Sequence, residues 1–230
     1  MFTPYDWQEG IGNRAQYIEA KLSQGVPALA ISIPDGILVF TYRRQGRKIY
    51  EIFDRLIFAG LGQQSDIEAL RVAALEFASR EGYNRSEQDV TIQRVATAMS
   101  APLKRAFSDF SASPIVARAL FGEVGATPAD DLYYALDYDG DYTMHRQSAV
   151  IAGTLETAEV LRAKLASAET ESDPMAMVET LKQIYLQSLE SSESSASPEE
   201  TIEGLSPEAV LLERSSAREN RFRLLTPEEF

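Results

Sequence analysis

The order in which apolar periodicity changes along this chain leaves few folds open to it. Alternating or short apolar runs occupy Ala28–Ile33, Ile37–Tyr42, Lys48–Phe53 and Arg55–Gly60. Helical spacing then takes over for two segments. Strand-like runs return at Ile115–Phe121, Asp131–Tyr138, Tyr142–His145 and Ala149–Ala152. Two more helical segments follow, and Ala209–Glu213 and Arg221–Leu225 close the chain as extended pieces. Pro34-Asp35-Gly36 and Asp139-Gly140 are turn signals, combining a φ-fixing proline or a short polar residue with a permissive glycine. Blocks of antiparallel strands separated by helix pairs predict an α+β fold in which two sheets lie sandwiched between helical layers.

The helices carry their own signals. Ala15, Tyr17, Ile18 and Leu22 put a short amphipathic helix at Asn13–Ser23, with Gly25 past its end. Ser65 and Glu68 read as a capping box ahead of Ile67, Leu70, Ala74, Leu75 and Phe77, and Gly82 ends that helix. Ser86 opens the next, with Val90, Val95, Ala98 and Met99 on one face and Pro102 as a kink or break. Helices at Leu155–Ala166 and from Asp173-Pro174 to Leu189 complete the set. The expected division is a mobile N-terminal arm (1–12), a core domain (13–189), a solvated Ser/Glu-rich linker (190–204), and a C-terminal strand and tail (205–230).

Charge and composition remove several functions. A net charge of -13, from 22 Lys and Arg against 35 Asp and Glu, suits neither a nucleic-acid surface nor an anionic membrane face. There is no cysteine and one histidine, which excludes disulfides, thiolate zinc sites, cysteine nucleophiles and His-pair metal sites. The N-terminal residues lack the basic and apolar regions of a signal peptide, and no apolar run approaches ~18 residues, so a soluble cytoplasmic protein is expected.

Candidate chemistry is sparse. A Ser-His-Asp triad would have to use His145, which reads better as a structural histidine at a strand end. Asp137, Asp139 and Asp141 alternate around Gly140, but the distal bidentate Glu of a calcium loop is missing, and a β-hairpin is the better reading. Asp130-Asp131 reads as the solvated start of a strand. Gly60 and Gly62 make no dinucleotide fingerprint; they read as sites of close backbone approach.

Three runs resemble the α subunits of actinobacterial proteasomes. The most telling is Arg47-Lys48-Ile49-Tyr50-Glu51-Ile52-Phe53-Asp54-Arg55, followed by Phe58-Ala59-Gly60-Leu61-Gly62 and Ile67-Glu68-Ala69-Leu70-Arg71-Val72-Ala73. The others are Leu132-Tyr133 through Tyr138-Asp139-Gly140, and Ala209–Arg214 with Arg221-Phe222-Arg223. The likeness covers Arg14 to Arg223 and implies the four-layer αββα sandwich of the N-terminal-nucleophile hydrolases. The chain departs from it at Ile18-Glu19, where Ala-Arg is usual, and at Tyr5-Asp6-Trp7 in place of a Tyr-Asp-Arg gate motif.

The resemblance also implies a function. Catalytic members of the superfamily expose an N-terminal threonine whose own amine is the base. The corresponding slot here holds Val26, followed by Pro27; the supporting aspartate falls near Tyr42, and no equivalent of the supporting lysine is expected. The chain would therefore be a non-catalytic subunit without cofactor or metal, gating an axial pore with residues 1–12. It would stand in a ring of seven beside a proteolytic β subunit, the Asn13–Ser23 helix between α neighbours, helices Ile67–Arg80 and Val90–Phe107 toward β. Lys48 would pair with the C-terminal carboxylate of an AAA ATPase activator, with Gly62 admitting that ligand's backbone. Substrates would be unfolded proteins, commonly those tagged with a small ubiquitin-like protein (pupylation). The alternatives are a self-processing N-terminal-nucleophile peptidase, for which Thr3 is the early candidate, and a non-proteolytic ring scaffold.

Overall fold

The structure, a computed structural model, describes residues 4–190, 198–216 and 220–225. Two five-stranded antiparallel sheets form its centre. The strands are β1 (Ala28–Ile33), β2 (Gly36–Arg43), β3 (Ile49–Phe53), β4 (Leu56–Gly62), β5 (Ala117–Glu123), β6 (Leu132–Leu136), β7 (Tyr142–His145), β8 (Ser148–Ile151), β9 (Ser206–Glu213) and β10 (Phe222–Leu225). One sheet runs β10-β9-β2-β1-β8 and the other β3-β4-β5-β6-β7. The helices are α1 (Pro4–Leu22), α2 (Gln64–Asn84), α3 (Ile92–Ser108), α4 (Leu155–Ser167), α5 (Pro174–Glu190) and the short α6 (Pro198–Ile202).

Layering follows from the two-residue period of the strands. Every residue of β1 is buried, because both faces of its sheet are covered. Ala28, Ala30, Ile37 and Val39 look toward the other sheet, joining Ile57, Ala59, Leu61 and Leu120. Leu29, Ile31, Ile33, Leu38 and Phe40 look the opposite way, onto Leu161, Leu165, Met177, Val178 and Leu181 of α4 and α5. The second sheet repeats this, with Leu56, Phe58, Ala119 and Phe121 packed on Ile67, Leu70, Val95 and Met99 of α2 and α3. The four-layer αββα expectation is met, with Ile18 and Leu22 of α1 inserted into the inter-sheet core.

Several local readings change. The α1 helix starts at Pro4, not Asn13, so the segment read as an arm is helical from that residue. Tertiary contacts outweigh the glycines there. Trp7 meets the Phe110 ring edge-on at 5.0 Å, and a side chain at Gly10 would approach that ring to 3.1 Å. Arg14 donates to the carbonyls of Ala106 and Ala112. The capping box does not form: Glu68 pairs with Arg71 at 2.5 Å, and Gln63 at the N-cap makes no side-chain bond. That helix runs past Gly82 to Asn84, and α3 starts at Ile92, Ser86 capping only a 3-10 turn. Pro102 neither breaks nor splits α3, which Met99 and Leu103 bury against the second sheet on either side of it. Part of the segment read as a linker, Pro198–Ile202, is the helix α6, and residues 191–197 lie outside the described residues.

Asp131 is corrected as well. It is fully buried, and both its oxygens accept from the Arg214 guanidinium, at 2.7 and 2.9 Å. Arg214 also donates to the carbonyls of Ile33, Pro34 and Gly125, stapling the β1–β2 turn to the start of β6.

Candidate functional site

At one end of the sandwich four strand termini from both sheets converge. The segment before β1 supplies the carbonyls of Val26 and Pro27, the end of β2 supplies Thr41 and Arg43, the residue before β3 is Lys48, and β9 supplies Glu208. The β2–β9 register sets Thr41 opposite Glu208. The turn Arg44–Arg47 is short and exposed, and it brings Lys48 back over that pair.

Lys48 is half-buried and its ammonium points inward. It donates to the Val26 carbonyl at 2.5 Å and to Thr41 Oγ1 at 3.0 Å, while the Thr41 hydroxyl donates onward to the Pro27 carbonyl at 2.6 Å. An ammonium has three donors, so two acceptors among the described residues leave one direction for a ligand. Glu208 is buried. Its carboxylate accepts from the backbone N–H of Lys48 at 3.0 Å and of Ile49 at 3.4 Å, and Arg43 Nε lies 3.8 Å away. Loss of water pulls the Lys48 ammonium down to about 7, against the opposing attraction of Glu208. Burial pushes the Glu208 carboxyl up, and its backbone and cationic partners restrain it. The group is a built cation site: a charge displaced from bulk water, aligned by fixed acceptors.

The run Arg43-Arg44-Gln45-Gly46-Arg47-Lys48 carries four cations and no acid in a chain whose net charge is -13. Its field favours an anionic ligand at a place where the local charge opposes the overall balance. That signal was available in the sequence. Glu208 was not: it precedes the predicted strand Ala209–Glu213 as one more acid, and only a contact across 160 residues joins it to Lys48.

Val26 stands two residues before β1, preceded in the chain by α1, and offers no nucleophilic atom. The expectation that no lysine would accompany this slot is corrected, since Lys48 Nζ contacts the Val26 carbonyl. Lysine is present and a nucleophile is not. Gly62 ends β4, the strand that pairs with β3. At φ +137 its missing side chain faces the Val116 carbonyl, which a Cβ would approach to 2.1 Å, so close pairing of β4 with β5 requires the glycine. Among the described residues it shares no hydrogen bond with Lys48.

His145 lies in a different cleft, of about 720 Å³, with Arg118, Asp137, Thr143 and Arg162. Its Nε2 meets Thr143 Oγ1 at 2.9 Å, and burial, then Arg162, keeps its pKa low. No serine among the described residues reaches its ring, so no triad assembles. Arg118 there donates to Glu19, Asp137 and the carbonyls of Ala152 and Gly153, tying α1 to both sheets. Asp137–Asp141 forms the β6–β7 hairpin turn, with Gly140 at φ +87.

A model of the proteasome subunit family matches residues 23–200. Among similar proteins is the proteasome subunit alpha of Streptomyces avermitilis, 28% identical over all of this chain and 89% of its own length. That of Actinosynnema mirum is 30% identical over 90% of this chain and 77% of its own. That of Jonesia denitrificans is 30% identical over 96% and 91%.

Proposed function

We propose, from the premise that the chain belongs to the proteasome subunit family, that it is a non-catalytic α-ring subunit of a bacterial proteasome and docks a partner's C-terminal carboxylate at Lys48. The observation that carries the non-catalytic reading is Val26. An N-terminal-nucleophile mechanism needs a hydroxyl or thiol on the first residue of the strand and a free amine on the same residue. Here the residue in that slot, two before β1, is an apolar valine joined through its amide to the chain of α1. A lysine beside it then has no nucleophile to serve, and its charge is available for binding.

Carboxylate docking is supported by three features already described. The Lys48 ammonium has a donor to spare, the adjoining turn concentrates cations, and the Val26 carbonyl and the Thr41 hydroxyl hold the side chain without neutralising it. The partner is an AAA ATPase activator, and the ring neighbours are further copies of this chain and the proteolytic β subunit. The N-terminal helical segment gates the axial pore, in seven-membered rings of a cytoplasmic particle that degrades unfolded, tagged proteins. No helix among the described residues is long and apolar enough to cross a membrane.

Native mass spectrometry after co-expression with the β-type subunit of the same genome tests the assembly. A particle holding two heptamers' worth of this chain together with β is the expected result. A monomer indifferent to β would overturn the ring role. For the pocket, Lys48→Ala is expected to abolish ATPase-stimulated degradation while leaving the particle assembled.

A further inference from the structure

Glu208 has no part in the function proposed above, yet its geometry is unusual for a structural acid. A carboxylate this buried is ordinarily paired directly with a cation. Among the described residues the cation paired with Glu208 is Arg43, its Nε at a loose 3.8 Å, whereas the tighter contact of Glu208 is to the backbone N–H of Lys48. A side chain on β9 of one sheet thus grips the first residues of β3, the edge strand of the other. The strand carrying the ammonium is held from below by the same group that supplies negative charge near it.

We propose that Glu208 is a positioning residue for Lys48: its carboxylate fixes the backbone at Lys48 and Ile49 and is the buried counter-charge for the ammonium that receives an incoming carboxylate. The inference rests on the docking role of Lys48. The groups facing the pair are Arg43 from β2 and Tyr50 from β3, whose phenol is raised by burial first, then by Glu68 and less by Glu208, against Arg71, while the segment before β1 contributes the Val26 carbonyl. Charge alone decides the sign. With Glu208 ionised, the ammonium keeps its proton to higher pH. Without that charge, burial acts unopposed and the lysine turns neutral at lower pH, losing its attraction for an anion. A carboxylate lost from Glu208 also removes a repulsion on the ligand, so binding to the still-protonated lysine is not weakened.

The test uses the assembled particle and a fluorescein-labelled peptide copying the C-terminus of the ATPase encoded in the same genome, with its C-terminal amide as control. Binding is followed by anisotropy across neutral pH. The parent is expected to bind the free-acid peptide progressively less well as pH rises through about 7, the value at which Lys48 loses its proton. Glu208→Gln is expected to move that midpoint to lower pH, weakening binding by about three- to tenfold above neutrality and recovering parental affinity below the midpoint. Glu208→Asp, which keeps the charge, is expected to retain the parental midpoint.

A Glu208→Gln profile that superimposes on the parent's would overturn the proposal. So would an assembled Glu208→Gln particle that binds weakly at every pH, since that marks a purely structural acid. Lys48→Ala separates the two levels. If it binds the free-acid peptide as the parent does, the docking role itself fails; if it loses binding while Glu208→Gln matches the parent, only the role of Glu208 fails.

Discussion

An ammonium taken partly out of water keeps its charge only where its surroundings replace the lost solvation. Lys48 has two oxygen acceptors and a buried acid to do so, but burial outweighs the pull of Glu208 and leaves its proton poised near neutrality rather than far above it. The sign follows directly. Lowering of the folded-state pKa means the lysine is charged below about 7 and loses its charge as pH rises above it. ATPase stimulation of degradation is therefore expected to fall between about pH 6 and about pH 8, approaching tenfold per unit at the alkaline end, while β-site peptide cleavage without the ATPase follows a different profile. Lys48→Arg, which cannot deprotonate, is expected to flatten that fall even if its larger head docks less well. Asp131 is the other residue on which much rests. Breaking its buried bidentate pair with Arg214 leaves a buried guanidinium without its partner, so Asp131→Ala is expected to destabilise the fold by about 3–5 kcal/mol, read as a lowered thermal midpoint of the purified chain.

At the scale of elements, α1 and the β2–β3 turn matter most. The first half of α1 contains Gly10 and Gly12 and has little propensity of its own. Among the described residues it is held by Trp7 on Phe110, with the Arg14 guanidinium 5.7 Å from the same ring and bonded to the carbonyls of Ala106 and Ala112. Phe110→Ala is expected to release that half of the helix. Because the chain has a single tryptophan, the release reads out as a red shift of Trp7 emission and faster proteolysis near the N-terminus. If that segment gates the pore, peptide hydrolysis by the assembled particle rises as well. The exposed turn acts by charge instead. Replacing Arg44 and Arg47 with alanine is expected to slow association of an anionic peptide severalfold at low salt and to reduce the salt dependence of binding, with little change in dissociation.

For the whole molecule, two sheets with helices on both outer faces bury one core between the sheets and one beneath each helical pair. That arrangement is shared by catalytic and non-catalytic members of the superfamily, so fold alone does not decide activity. Residue 26 does. The purified chain without β is expected to cleave no fluorogenic peptide, and inhibitor-sensitive turnover by it would refute the non-catalytic assignment.

Strand and helix identity was legible in the sequence because periodicity is a local property. The run Ala28–Ile33 alternates between the two cores as its spacing requires, and Tyr142–His145 lies where the Asp139-Gly140 turn directs it. Val26, Lys48 and the cationic turn could likewise be found in the sequence. The rest depended on partners far along the chain. Propensity left the first helix short, and Phe110 extended it. A carboxylate beside a strand start reads as solvated until Arg214, 83 residues on, is folded over it. Glu208 is an ordinary acid until β9 pairs with β2 and lays it beneath Lys48. Local spacing determines which face of an element is apolar; the burial of a charge, and hence its chemistry, is decided only when distant strands close around it.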